Sequence, residues 1–304
     1  MEKIFDLASY LKISGNQAAQ KRKDALKQGI HVPMLLQADI SVRCNLSCPD
    51  CCRQCIHTEY KERLLQVREW DVLFREAEQL GVRFITLAGG EPLLEKGILE
   101  RAACYSDIWF LVFTNGTLLD GPYYQFFSDH RNLIPVLCME ICTNLDVSKM
   151  GRASYRYESL IHSMDILGNR DIVYGACATL TTENRRRLAT RGFLDGLNRK
   201  KCNGMAFIEY GMDGIWDDSL GFKENEWQEI EAELYDIQKE YHDMILCSFP
   251  KNGRFLERLY GEPEKSFRVT ADGYVSPTLH RENISWGNLK NTSLREILME
   301  PRFC

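Results

Sequence analysis

Short apolar runs alternate with longer amphipathic stretches through most of this chain. The runs at 35–41, 84–88, 109–114, 135–142, 173–180 and 204–210 have the length and composition of β-strands. Between them apolar positions recur at helical spacing over about 68–80, 92–104, 119–130, 156–168, 183–199 and 224–242. Strands that alternate with helices pair in parallel, because each parallel crossover needs a dozen or more residues. Six such units are two short of a complete eightfold barrel. The pattern by itself therefore allows an open sheet or a partial barrel.

The flanks follow other patterns. Residues 1–33 read as a helical preface: Ile4, Leu7, Ala8 and Leu11 repeat at helical spacing, and a second, polar helix runs to about Gln28 before Gly29 and Pro33. After about residue 246 the alternation stops. Residues 266–277 read as two short strands around an Ala271-Asp272-Gly273 turn, with a helix from about 293 to 299. The expected division is a helical segment over 1–33, a β/α body over 34–245 and a small hairpin-plus-helix cap over 246–304.

Composition narrows the class. With 44% hydrophobic and 27% charged residues in 304, the chain has enough apolar material for a sizeable core. The net charge of -5 and the absence of a dense basic tract argue against nucleic-acid binding. The Lys21-Arg22-Lys23 cluster, with Lys27, reads as the solvated face of a preface helix. Glu2 and Asp6 interrupt the N-terminus, and no apolar run approaches the roughly 18 residues of a membrane span, so a cytoplasmic location is expected. In that compartment twelve cysteines are metal ligands, reactive thiols or buried apolar residues sooner than disulfides.

Cys44, Cys48 and Cys51 form a C-x3-C-x2-C array just past the first strand. Thiolates so spaced in one loop can grip three irons of a [4Fe–4S] cube and leave the fourth open to a substrate or cofactor. A zinc knot of Cys48, Cys51, Cys52 and Cys55 is the competing reading, but those pairs abut, whereas zinc sites space theirs by a dozen or more residues. Gly89-Gly90-Glu91-Pro92 follows the second strand, where two glycines permit close backbone approach and a carboxylate can receive an ammonium group. Thr114-Asn115-Gly116-Thr117 ends the third.

These motifs together resemble the radical S-adenosylmethionine (SAM) superfamily, over roughly residues 36–300. The resemblance favours a partial (β/α)6 TIM-type barrel with its chemistry at the C-terminal strand ends. It implies a [4Fe–4S] cluster on Cys44, Cys48 and Cys51, and SAM bound near Gly89, Gly90, Glu91, Asn115, Glu140 and Arg152. SAM would be cleaved reductively to a 5′-deoxyadenosyl radical that takes hydrogen from a substrate, with a flavodoxin- or ferredoxin-type reductant as partner. The chain departs from the family at Asp50, where an aromatic residue is usual, and at Cys138-Met139-Glu140-Ile141, where many relatives carry Ser-Leu-Asp-Gly. Cys138, Glu140 and Cys142 share a strand face by period two. If that face is lumenal, Cys138 and Cys142 are candidate catalytic thiols that can return a hydrogen atom to a substrate radical; buried free cysteines are the plainer reading.

The tail from Ser266 resembles the SPASM and twitch tails of peptide-modifying relatives. Pro277 is followed by Thr278 where those tails carry a cysteine, and only Cys247 and Cys304 follow the sixth strand. A shape retained without its auxiliary cluster is expected. The tail favours a peptide or protein substrate, with a small metabolite or lipid precursor as the alternative. A non-catalytic iron–sulfur redox or binding protein is the third reading.

Overall fold

The structure is a computed structural model that describes residues 15–46, 63–139, 151–210, 219–249, 266–277 and 285–299; over 15–16 and 151–157 only the backbone is described. In chain order the elements are α1 (Gly15–Leu26), β1 (Leu35–Ser41), α2 (Val67–Leu80), β2 (Phe84–Gly89), a 3-10 turn (Pro92–Leu94), α3 (Lys96–Ala102) and β3 (Trp109–Thr114). Then follow α4 (Gly121–Asp129), β4 (Leu133–Cys138), α5 (Gly151–Asn169), β5 (Gly175–Leu180), α6 (Arg185–Leu188), α7 (Arg191–Arg199), β6 (Gly204–Glu209), α8 (Glu224–Gln238) and β7 (Ile245–Phe249). The tail contributes β8 (Ser266–Val269), β9 (Tyr274–Pro277), β10 (Gly287–Asn288) and α9 (Leu294–Leu298). They fall into two compact units, one from residues 12–113 and 264–304, the other from residues 114–263.

In the first unit β1 lies between β2 and the tail strand β8, parallel to both, with Leu36 opposite Ile85 on one side and Phe267 on the other. β2 pairs in parallel with β3, and β9 turns back antiparallel on β8. Every second residue of a strand faces the same way, and helix α2 seals one of these faces. Its apolar stripe of Trp70, Leu73, Phe74, Ala77 and Leu80 is buried, with the Phe74 ring set edge-on to Phe110 of β3 at 5.1 Å. The tail is tied to this layer as well: the Glu76 carboxylate of α2 accepts the backbone N–H of Leu294 at 2.7 Å, at the start of α9.

In the second unit β4, β5, β6 and β7 run parallel in that order. β7 is an addition to the six strands marked by the sequence pattern. Its five residues follow α8 without a glycine or proline between them. A side chain makes the turn: the Gln238 amide donates to the carbonyls of Tyr241 and Met244, at 2.8 and 3.0 Å, and its oxygen accepts from Leu246 N–H. Two helix expectations also divide. The stretch 183–199 breaks at Thr190, whose hydroxyl accepts from Phe193 N–H at 3.3 Å and so caps α7. The stretch 92–104 opens as a 3-10 turn capped by Glu91 before α3 begins. Among the described residues no helix is long and apolar enough to cross a membrane.

Candidate functional site

In the first unit the loop after β1 is held by the turn after β2. Gly90 N–H donates to Ser41 O at 2.6 Å, and Glu91 N–H donates to Arg43 O at 2.7 Å. The strand ladder thus continues two residues past β1, up to the residue before Cys44. Gly89 has φ +116°, a region disfavoured for residues with a Cβ, and a Cβ there would collide with Ser41 O. A Cβ on Gly90 would collide with Arg43 O. The two glycines therefore serve an approach of backbone to backbone.

Side chains reinforce the same junction. Glu95 Oε1 accepts from Ser41 Oγ at 2.9 Å and from the Arg43 guanidinium at 3.0 and 3.2 Å, while Arg43 Nη2 also donates to Leu94 O. Cys44 emerges from this clamp with its thiol exposed, and its sulfur accepts Leu46 N–H at 3.4 Å. Cys48 and Cys51 lie outside the described residues. A thiolate donor set suits an iron–sulfur cluster, and an exposed first thiol on a pinned loop fits that use. Among the described residues no group of three or more His, Cys, Asp or Glu side chains is placed to hold a metal.

Glu91 is buried, and Oε1 accepts Leu93 N–H at 3.1 Å. With this bond the carboxylate caps the 3-10 turn, among its other contacts. In the second unit Asn115 makes a local turn, its Oδ1 accepting from Thr117 N–H at 2.9 Å and Thr117 Oγ1 at 2.6 Å. Gly116 follows with φ +76°. Arg152 lies in the first turn of α5; its side chain is not among those described. Glu140 and Cys142 lie outside the described residues, as do Asp50 and Thr278.

Cys138 is the last residue of β4 and half-buried. It stands opposite Cys177 of β5, whose thiol donates to the Cys138 sulfur at 3.5 Å. The sequence reading did not single out Cys177. Only the strand register joins two cysteines so far apart in the chain.

Three comparisons bear on this geometry. Residues 39–186 match the model of the Radical SAM superfamily. The PqqA peptide cyclase of Gluconobacter oxydans is 34% identical over 92 residues, covering 30% of this chain and 25% of that protein. A probable GTP 3′,8-cyclase of Methanothermobacter thermautotrophicus is 38% identical over 91 residues, 29% of each chain. The matched stretches thus span about a quarter of those curated relatives. Among solved structures, Streptococcus suis SuiB bound to S-adenosylmethionine superposes with a TM-score of 0.69 at 15% identity, over 94% of this chain and 70% of that one. A likeness of this extent shows the shared fold, an α/β partial parallel barrel flanked by helices.

Proposed function

We propose that this radical SAM superfamily chain uses SAM to generate a carbon radical and directs it at a peptide substrate. Cys44, Cys48 and Cys51 would hold the [4Fe–4S] cluster. When bound, the cluster would supply the electron for reductive cleavage of SAM to methionine and a 5′-deoxyadenosyl radical. The chain's own part is to bind, orient and exclude water. The clamp of Ser41, Arg43 and Glu95 fixes where the cysteine loop departs, and the Gly89–Glu91 turn beside it would present backbone groups to the SAM methionyl end. Asn115, Glu140 and Arg152 are the further SAM contacts proposed.

One observation carries the reading: the ladder that joins Gly90 and Glu91 to Ser41 and Arg43 brings the start of the cysteine loop and the GGEP turn together. The reductant would be a flavodoxin- or ferredoxin-type donor. The peptide preference is supported by the SPASM-like tail built on β8, by the match to PqqA peptide cyclases and by the fold shared with SuiB, which has also been solved bound to its precursor peptide SuiA. The match to probable GTP 3′,8-cyclases favours a second reading, a small-molecule substrate.

The two readings part in a stimulation assay. SAM cleavage by the reconstituted protein is followed with a random peptide pool or a pool of nucleotides and small metabolites. Faster 5′-deoxyadenosine release with peptides alone supports the first reading, and with small molecules alone the second. Cys48→Ala should abolish release in both.

A further inference from the structure

The register of the second unit sets three cysteines in one row. Cys138 of β4 faces Cys177 of β5, Cys177 faces Ala206 of β6, and Ala206 faces Cys247 of β7. Residues opposite one another in parallel strands point to the same side of the sheet. The helices lie on the other side. Ser248, the neighbour of Cys247, donates to Glu231 of α8 at 2.7 Å, and Leu137, the neighbour of Cys138, lies with Leu160 of α5 around Gly116. The thiols therefore occupy the face turned away from the helices.

On that face the row is flanked by Val136 and Ile245 at one edge and by Thr179, Ile208 and Phe249 at the other. Between those flanks Gly175, Gly204 and Ala206 share the face by period two, which leaves room over β5 and β6 beside Cys177. Cys177 is fully buried, and Cys138 and Cys247 are half-buried. Burial, with Cys177 close by, pushes the Cys247 thiol well above the ordinary cysteine range. A thiol is a good hydrogen-atom source, because S–H is weaker than the C–H and O–H bonds around it.

We infer that Cys138 and Cys177 are a hydrogen-donating dithiol, with Cys138 as the catalytic residue and Cys177 as the positioning residue that reprotonates it. This rests on the radical reading above and deepens it. A carbon radical held over the face takes the hydrogen atom of Cys138; a C–H bond forms, the S–H bond breaks, and a Cys138 thiyl remains. The thiyl takes one electron from the flavodoxin- or ferredoxin-type donor and one proton from Cys177 across the 3.5 Å contact. Cys177 recovers its proton from water. The substrate exchanges a carbon-bound hydrogen for one of solvent origin, with no net oxidation of that carbon. The reaction class is hydrogen exchange, with inversion where the carbon is a stereocentre.

The test needs no substrate. Reconstituted protein is given SAM and dithionite in D2O, and the 5′-deoxyadenosine is weighed by mass spectrometry. With no substrate present, the radical should take the exchangeable S–D of Cys138, so most of the product carries one deuterium. In Cys138→Ser the deuterated fraction should fall several-fold, while Cys202→Ser should keep it. An equal deuterated fraction in wild type and Cys138→Ser would overturn the inference, whereas no 5′-deoxyadenosine from wild type, either alone or with the peptide and small-molecule pools, would overturn the radical reading beneath it. The contact is tested separately on metal-free wild type. Adjacent strands hold Cα atoms within disulfide range, so mild oxidation should yield a Cys138–Cys177 disulfide in peptide maps. Its absence would overturn the pairing.

Discussion

Arg268 of the tail strand β8 and Asp39 of β1 form an ion pair, with Arg268 Nε and Nη2 each 2.6 Å from Asp39 Oδ2. The aspartate is buried and the arginine a quarter exposed. The pair joins the tail to the strand that leads into the cysteine loop.

The difference in burial makes the two partners unequal. Arg268→Met removes the counter-charge of a buried carboxylate and should cost about 3 kcal/mol of unfolding free energy. Asp39→Asn leaves a partly solvated arginine and should cost about 1 kcal/mol. The double variant should lose less than the sum of the two, because the uncompensated buried charge is gone as well. Urea unfolding of the three variants checks this, and equal single costs would contradict it.

The glycine junction gives a second prediction. Gly89→Ala combines a positive φ with a collision against Ser41 O, and should destabilise by well over about 1 kcal/mol. Gly90→Ala should likewise push the loop off Arg43. Both should lower the iron bound per chain on reconstitution. Gly121→Ala, whose added Cβ meets nothing within 4 Å, should leave iron content unchanged.

Alkaline stability should depend on Cys202. Burial pushes this thiol up to about 12, against smaller downward pulls from the Gly204 and Ala176 backbone. Its folded pKa is thus raised above its unfolded value, so folding gains from the protonated thiol below pH ~9. Between the two values the folded state binds the extra proton, and stability falls by about 1.4 kcal/mol per pH unit as pH rises. Cys202→Ala should flatten that part of the profile from about pH 9 to 12. A slope unchanged in the variant would contradict this assignment.

The tail helix should depend on Glu76. Its carboxylate accepts the N–H of Leu294 at 2.7 Å and of Arg295 at 3.4 Å. Glu76→Ala removes a charge-assisted cap and should destabilise α9 by about 1–2 kcal/mol. Hydrogen exchange should then quicken at Ile297 and Leu298, while the amides of β1 and β2 keep their protection.

Much of the fold was legible because apolar periodicity survives in one sequence. β1 and β3 occupy the residues expected of them, 35–41 and 109–114, and the tail hairpin turns at Asp272-Gly273. β7 was missed because side-chain bonds from Gln238, absent from any local propensity, bring the chain into it. The site divides the same way. Cys44 and the GGEP turn are local motifs and could be read directly. The Cys138–Cys177 contact and the collision that explains Gly90 depend on register between strands, which no local pattern carries.

The central claim is a three-cysteine cluster that drives SAM cleavage, and one anaerobic measurement tests it most directly. Iron and sulfide are determined per reconstituted chain, and 5′-deoxyadenosine is then followed with SAM and dithionite. The account predicts about four irons and four sulfides per chain, with 5′-deoxyadenosine released by the wild type and lost in Cys44→Ala, Cys48→Ala and Cys51→Ala. A colourless protein with one metal and no sulfide, or release that survives loss of these cysteines, would contradict it.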